Sequence, residues 1–344
     1  MHAKRMSFTR RAFCAVAATA MLSIALPAFA ADTVDVEAAK KEGTVVWYSS
    51  TPIDQANKIV AAFEKKYGVK VELFRASGSE LLRRFNTELQ AGQVAADVLT
   101  TSDPEAMGDF GERGIFTAFR PAGADHIPDY LKDPNGMYVG QRLNIVAFYT
   151  KTDILPVDKA PKTWDDLLKP EYKGQIVITD PASTVLQLYT VAMIAKDKGW
   201  QYFEKLNANG VMIVRGGQQA FDTVKRGERK VAGGTDMSYA NAAKMAGEPL
   251  EVIYPEDGVF VVPAPSAVLA KAKHPNAAKL LAEFLVSEEG QQVFPESGNY
   301  AARTDIAPPP NSPKLTDMKV RPIDYSYVKA QNQATKKKFA EIFQ

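Results

Sequence analysis

Short apolar strands alternate with amphipathic helices through the first third of the chain. The apolar run at 44–48 predicts a buried strand, and apolar positions at 56, 59, 60, 63 and 67 predict a helix after it. A period-two strand at 69–74, a helix with apolar positions at 81, 82, 85 and 89, and a strand at 97–100 follow. This β-α-β-α-β order is typical of an α/β fold with a mainly parallel sheet.

Hydroxyl side chains follow each of these strands, at the point where a helix begins. Ligands of open parallel sheets bind outside the carboxyl ends of the strands, and a helix N-terminus offers free N–H groups to an anion. Ser and Thr also cap helices without any ligand, so each turn has a structural alternative. The candidate ligand-binding residues of this part of the chain are Ser49, Ser50, Thr51, Ser77, Ser79, Thr101 and Ser102.

The second half repeats this alternation. Strands are predicted at 144–149, 174–180, 211–214, 230–236, 259–262 and 266–269, and helices at 161–168, 183–198, 275–286 and near the C-terminus. Polar residues again follow the strands. The candidates here are Ser183, Thr184, Gln218, Asp236, Ser238 and Tyr239.

Two arginines are candidate counter-charges for an anion, because a guanidinium pairs bidentately with phosphate or carboxylate. They are Arg75, at the end of a strand, and Arg142, and the alternative for both is a surface or hinge ion pair. Asp236 is predicted to accept hydrogen bonds from solute hydroxyls or an ammonium group, with a helix cap as its alternative. Tyr239 is predicted to line the pocket, with a core position as its alternative.

Residues 1–30 have the pattern of an export signal. Lys4, Arg5, Arg10 and Arg11 precede an apolar stretch at 12–26, and an A-x-A site at 28–30 predicts cleavage near Ala30/Ala31. The adjacent Arg10 and Arg11 indicate a twin-arginine signal, with a general secretory signal as the alternative. The mature protein is therefore expected to be periplasmic.

Composition and motifs exclude several classes of function. Loss of the basic leader changes the formal charge from +2 to a small acidic excess, which argues against nucleic acid as a partner. The chain has one Cys and three His, with no zinc-site spacing, P-loop or nucleophile elbow. We expect no catalytic residues, no metal site and no cofactor.

Several segments resemble the extracellular solute-binding proteins of ABC importers, in the branch of the ferric-iron-binding proteins. They include GTVVWYSS at 43–50, AFEKKYGVKVE at 62–72, TWDDL at 163–167, GNY at 298–300 and AEFLVSEEGQ at 282–291. The resemblance covers the mature chain. It implies a two-lobe periplasmic-binding-protein fold of type II, in which two mainly parallel sheets flanked by helices are joined by hinge strands near 141–149 and 259–269 and close on a ligand between them.

On this resemblance, lobe 1 comprises 31–142 and 268–318, and lobe 2 comprises 143–267 and 319–344. The partners it implies are a small-molecule ligand and an inner-membrane ABC permease, and the protein is expected to be a monomer.

The predicted solute is a small polar organic anion of phosphonate, sugar phosphate or carboxylate type. Ferric binders that resemble this chain use adjacent tyrosines, whereas this chain has Ser238-Tyr239 and a first turn without His or Tyr. Ferric iron remains the alternative solute, with Tyr239 as a ligand, and a secreted hydrolase on the same scaffold is a further alternative.

Overall fold

A computed structural model of the chain describes residues 32–343. The helices in this part of the chain are α1 Val36–Glu42, α2 Ile53–Tyr67, α3 Gly78–Gln90, α4 Pro104–Glu112, α5 Val185–Lys198, α6 Gln201–Ala208, α7 Gly217–Lys225, α8 Ser238–Met245, α9 Pro275–Val286, α10 Glu288–Gln292 and α11 Tyr325–Phe343. The strands are β1 Thr44–Ser49, β2 Lys70–Arg75, β3 Val98–Thr100, β4 Val139–Lys151, β5 Ile176–Thr179, β6 Met212–Val214, β7 Val231–Asp236, β8 Leu250–Ile253, β9 Val259–Val268, β10 Tyr300–Ala301 and β11 Val320–Arg321.

The strands form one continuous mixed sheet in the order β2-β1-β3-β9-β4-β7-β5-β6. One end of this path, β2-β1-β3, is parallel, and the other end, β7-β5-β6, is also parallel. Antiparallel pairing joins β3 to β9, β9 to β4 and β4 to β7. The sheet therefore has two parallel parts connected through the two long strands β4 and β9.

Three of the predicted elements differ from the structure. The strands predicted at 259–262 and 266–269 are the single strand β9, because Pro263 and Pro265 fit an extended backbone and do not end it. The α-helix predicted at 161–168 is only a short 3-10 helix, Asp165–Leu168. Pro170 follows it and disfavours helical backbone in the residue before the proline, so the turn does not lengthen.

Helices cover both parallel parts of the sheet and bury separate apolar clusters. Trp47 and Phe63 pack with α9 over the first part, where the rings of Phe63 and Phe284 are 5.6 Å apart. Phe203 and Phe339 pack over the second part at 6.1 Å, which attaches the C-terminal helix α11 to α6. No helix in the described range 32–343 is long and apolar enough to cross a membrane.

The carboxyl ends of the parallel strands bring the polar turns together. Ser49 lies beside both Arg75 and Thr100 in the register of the first parallel part. Thr179 lies beside Val214 in the second. A polar pocket lies at these strand ends. The export signal and its cleavage site lie outside the described residues.

Candidate functional site

A polar pocket of about 140 Å³ lies where the carboxyl ends of both parallel parts of the sheet meet; we call it the inner pocket. It is lined by Ser50, Pro52, Arg75, Ser77, Gly78, Ser102, Arg142, Asn144, Thr179, Thr184, Val185, Leu186, Gln187, Gly216, Gly217, Gln218, Thr235, Asp236 and Tyr239. Both halves of the chain contribute, which is the arrangement expected of a site between two lobes.

Predicted residues from both halves line the inner pocket together. They are Ser50, Ser77, Ser102, Arg142, Thr184, Gln218, Asp236 and Tyr239. Because 189 positions separate Ser50 from Tyr239 in the sequence, the sheet topology rather than local structure brings them together.

Arg142 lies on strand β4, and its guanidinium makes more hydrogen bonds than that of Arg75, the other arginine of the pocket. Its Nη1 donates to Thr51 Oγ1 at 3.0 Å, and its Nη2 donates to the Ser50 carbonyl oxygen at 3.4 Å and to Ser102 Oγ at 3.3 Å. These acceptors are neutral, and no carboxylate oxygen in the described range lies within 4.0 Å of the guanidinium. Arg142 is therefore a positioned cation whose charge has no direct counter-ion.

Burial makes this charge costly, and the charge of Asp236 opposes only part of the desolvation. The Arg142 residue is only 1% exposed, and desolvation lowers the pKa of its guanidinium to about 10, so it remains charged at neutral pH. Its Nε and the hydroxyl of Ser50 are both buried, and neither has a hydrogen-bond partner among residues 32–343. Buried polar groups are normally hydrogen-bonded, and an anion bound here would supply the missing acceptor.

Arg75 and Tyr239 form the boundary of the inner pocket on its outer side. Arg75 donates from Nε to the Thr51 carbonyl oxygen at 3.1 Å, and no carboxylate in the described range is within ion-pair distance. Burial raises the pKa of Tyr239 to about 12, despite the opposing effects of Arg75 and Arg142. Tyr239 is therefore a neutral phenol at neutral pH, able both to donate and to accept a hydrogen bond.

Asp236 ends β7 and is the acidic member of the pocket. Its Oδ1 accepts a hydrogen bond from Ser238 N at 2.9 Å, which is the helix-cap alternative of the sequence. Burial raises the pKa of its carboxyl group, and the Ser238 hydrogen bond and the charge of Arg142 oppose this effect. Asp236 therefore caps α8 and also lines the pocket.

Five helices begin at the inner pocket: α2, α3, α5, α7 and α8. The residue at the N-cap of α2, α3 or α7 makes no side-chain cap hydrogen bond, so the first N–H groups of these helices remain available. Their aligned dipoles add positive potential to that of the two arginines.

Ser77 stands at the N-cap of α3 but makes no side-chain hydrogen bond to that helix. Instead, the Ser77 side chain lines the pocket.

Other predicted residues support the pocket without lining it. Ser49 is fully buried, and its Oγ donates to Thr51 Oγ1 at 2.8 Å, while Thr51 Oγ1 in turn accepts from Arg142. Thr101 is also fully buried, and its backbone N–H donates to the Pro265 carbonyl oxygen. Ser49, Thr51 and Thr101 are therefore buried behind the residues that line the pocket.

Three further predicted residues lie beside the inner pocket. Ser79 is the second residue of α3, and it follows Ser77 and Gly78, which line the inner pocket. Ser183 bonds back to Asp180, with N to the carbonyl oxygen at 3.0 Å, so it closes the turn before α5. Ser238 lines a neighbouring chamber described below.

Several pocket residues were not among the predicted ligand-binding residues. They are Asn144, Thr179, Gln187, Thr235 and the backbone at Gly216 and Gly217. Asn144 was detectable, because it is two positions from Arg142 on an extended strand and therefore shares its face. Its Nδ2 donates to Ser102 Oγ at 3.1 Å.

The donor set favours an anion over a bare metal ion. Within residues 32–343, no cluster of three or more His, Cys, Asp and Glu side chains could hold a metal. The pocket offers two guanidinium groups, helix N-termini and hydroxyl groups against one carboxylate, Asp236. This arrangement can bind one anionic group and one hydroxyl or ammonium group side by side.

Comparison with known families gives one match over most of the chain. Residues 94–331 match the sequence profile of a family described as bacterial extracellular solute-binding protein. Among solved structures, the periplasmic binding protein AfuA from Actinobacillus pleuropneumoniae with fructose-6-phosphate bound superposes with a TM-score of 0.77 and 25% identity. The alignment covers 88% of this chain and 98% of that one, and it confirms the predicted two-lobe type II fold.

Two curated relatives have names that point to different solutes. A putative 2-aminoethylphosphonate-binding periplasmic protein of Salmonella paratyphi A is 28% identical, over 72% of this chain and 74% of the relative. Iron uptake protein A1 of Synechocystis is 27% identical, over 74% of this chain and 73% of the relative.

Proposed function

The chain belongs to the bacterial extracellular solute-binding proteins and is the periplasmic binding component of an ABC importer, and we propose that its solute is a small organic anion. The anionic group is of phosphate, phosphonate or carboxylate type. It binds in the inner pocket against Arg142 and the starts of α2, α3 and α7. A hydroxyl or ammonium group of the same solute binds Asp236.

Arg142 is the observation that carries this proposal. A buried guanidinium held only by neutral acceptors is expensive, because desolvation of a charge is compensated only by an opposite charge or by well-placed hydrogen bonds. A solute anion compensates it. The unpartnered Arg142 Nε and Ser50 Oγ give that anion two specific donors.

The named relatives support the same chemistry. AfuA binds fructose-6-phosphate, and the Salmonella relative carries a name with 2-aminoethylphosphonate. Both compounds combine a phosphorus oxyanion with a hydroxyl or amino group. That combination suits two arginines beside one aspartate.

We propose that the lobe boundaries follow the hinge strands, with 31–142 and 268–318 in lobe 1, and 143–267 and 319–344 in lobe 2. Solute contacts from both lobes stabilise the closed form, which the inner-membrane permease recognises. The proposal also includes a monomeric protein, cleavage of the leader near Ala30/Ala31, and release of the solute chemically unchanged.

Isothermal titration of solute-free protein tests the anion class. Fructose-6-phosphate, 2-aminoethylphosphonate and uncharged fructose are the probes. At least one phosphorus-containing probe should bind while fructose does not. Arg142→Lys keeps a positive charge but loses the planar set of guanidinium N–H donors that can bind an anion bidentately. The variant should therefore bind the phosphorus-containing probe at least about tenfold more weakly.

Arg226→Lys is the matched control, because Arg226 is a solvent-exposed arginine outside the pocket, and its variant should bind as the parent does. Binding of fructose without binding of either anion would contradict the proposal. So would an Arg142→Lys variant with unchanged affinity for the anion.

Ferric iron is the second candidate, supported by the name of the Synechocystis relative and by Tyr239 in the pocket. One phenol with a raised pKa and one carboxylate are few anionic ligands for a trivalent ion. A visible charge-transfer band on addition of ferric citrate, lost in Tyr239→Phe, would establish iron. Its absence together with anion binding would exclude it.

A further inference from the structure

A second chamber of about 710 Å³ adjoins the inner pocket; we call it the outer chamber. The two share Pro52, Arg75, Gln218 and Tyr239 in their linings. The first turn of α2 forms one wall of the outer chamber, and the last turn of α8 forms another. Arg75 and Tyr239 therefore stand between two connected spaces.

The two spaces differ in size and chemistry. One water molecule needs at least about 10–15 Å³ of cavity volume. The inner pocket, at about 140 Å³, therefore has room for roughly ten heavy atoms of a solute at most. The outer chamber has the size typical of small-molecule sites. A solute larger than a short phosphorylated or carboxylated chain must extend beyond the inner pocket.

Two exposed apolar side chains line the outer chamber from opposite halves of the chain. Ile53 in α2 is 46% exposed and Met245 in α8 is 37% exposed. Single exposed apolar residues need no explanation, but this pair lines one chamber that is continuous with the ligand pocket. Asp54, Lys58 and Glu296 also line the outer chamber, so charged side chains lie beside the apolar pair.

Resting on the proposed function, we propose that the outer chamber is a second subsite, which binds the less polar tail of the solute whose anionic group occupies the inner pocket. Arg75 and Tyr239 contact the solute where it passes from one space to the other. Ile53 and Met245 contact the tail and thereby select extended anions over small ones. The substrate class is an organic anion with an apolar or aromatic portion next to the charged group.

Inorganic phosphate and phenyl phosphate are probes that share an anionic group and differ in the tail. Calorimetric titration should show phenyl phosphate binding at least about tenfold more tightly, because its ring buries apolar surface against Ile53 and Met245. The double variant Ile53→Ser/Met245→Ser should remove most of that preference while leaving the affinity for inorganic phosphate unchanged.

The matched control is Val157→Ser/Ile154→Ser, at side chains of the same exposure outside both spaces, 46% and 37%. It should leave both affinities as in the parent. Equal affinities for the two probes would overturn the tail subsite, and so would a preference for phenyl phosphate that survives in Ile53→Ser/Met245→Ser. In either case, binding of inorganic phosphate would still support the anion site in the inner pocket.

Two other results would also overturn the inference. A double variant that weakens both probes equally would make Ile53 and Met245 contacts of lobe closure instead. If neither probe binds, the inner anion site fails, and the tail subsite fails with it.

Discussion

At the scale of single residues, the site combines two cations that lack carboxylate partners with one buried carboxylate. Arg142 is fixed by Thr51, Ser50 and Ser102, so its position does not depend on the solute. Asp236 is fixed by Ser238 N. Such a site is preorganised, which reduces the entropy lost on binding.

Asp236→Asn should separate solute recognition from stability. Burial raises the pKa of Asp236, so the folded state favours its neutral form, and the charged form destabilises the fold at neutral pH. The ligand-free variant should therefore unfold at pH 7 with a free energy equal to or above the parent's. The difference should disappear as the pH falls below the pKa of the carboxyl group.

The same variant should bind 2-aminoethylphosphonate about tenfold or more weakly, because an amide replaces a charged acceptor. In the parent, this affinity should fall as the pH drops through the raised pKa of Asp236, and the variant should lose that part of the pH dependence. Calorimetry across a pH series measures both effects. A destabilised variant with unchanged affinity would make Asp236 a structural cap only.

The sequence predicted the chemistry of the turns better than the orientation of their side chains. Ser49 and Ser50 are adjacent and chemically alike, yet only Ser50 lines the pocket. The difference arises because the Ser49 hydroxyl donates its hydrogen bond to Thr51. Thr51 in turn accepts a hydrogen bond from Arg142, which is 91 positions away in the sequence. Contacts of that range cannot be read from local periodicity.

At the scale of secondary-structure elements, the starts of helices shape the pocket through glycine. A Cβ atom on Gly217, the first residue of α7, would lie 2.9 Å from Tyr239 Cε2. A Cβ on Gly216, directly before it, would meet no atom within 4 Å. The two glycines therefore provide a matched pair for testing the position of Tyr239.

Gly217→Ala should weaken anion binding several-fold, because the Tyr239 ring must move, while Gly216→Ala should change the affinity little. Neither glycine has a positive φ, so alanine introduces no backbone strain. Titration with fructose-6-phosphate or 2-aminoethylphosphonate, together with the ligand-free thermal midpoint, measures the contrast. Equal affinities for the two variants would show that Tyr239 does not contact the solute.

Gln291 in α10 connects strand β4 to the end of helix α9. Its Nε2 donates to the carbonyl oxygens of Gln141 and Leu285, each at 2.6 Å, and its Oε1 accepts from Ala302 N and Arg303 N. The side chain is fully buried, so its loss leaves four backbone groups without this partner.

Gln291→Ala should lower the free energy of unfolding by roughly 3 kcal/mol, since buried unsatisfied groups cost about 1–3 kcal/mol each and partial relaxation is expected. Solute affinity should remain within about threefold of the parent, because Gln291 does not line the pocket. Urea denaturation and titration test the two statements. A loss of stability below about 0.5 kcal/mol would contradict the buried network.

The order of strands and helices was largely predictable from the sequence, whereas the two long connecting strands β4 and β9 were predictable only in part. The alternation of 3.6- and 2-residue periods identified most strands and helices because each buries one apolar face. The local pattern divided β9 into two strands because prolines at 263 and 265 mark a break, whereas the family resemblance implied one crossing strand near 259–269. Pairing with β3 and β4 keeps the strand continuous.

At the scale of the whole molecule, two parallel sheet parts meet through β4 and β9, with the solute pocket at their junction. Contacts outside the pocket also join the halves, since Tyr189 in α5 donates its hydroxyl to Asp103 Oδ1 at 2.8 Å and Lys329 in α11 pairs with Glu105 at 3.1 Å. A solute that contacts both halves would add to contacts that already join them.

The most direct test of an anionic organic solute is native mass spectrometry of the protein purified from the periplasm, recorded beside its denatured mass and its visible absorption spectrum. We expect an excess mass that is lost on denaturation and that belongs to a colourless organic compound with a phosphate, phosphonate or carboxylate group. An excess equal to iron with a visible charge-transfer band, or a bound uncharged solute, would contradict this expectation.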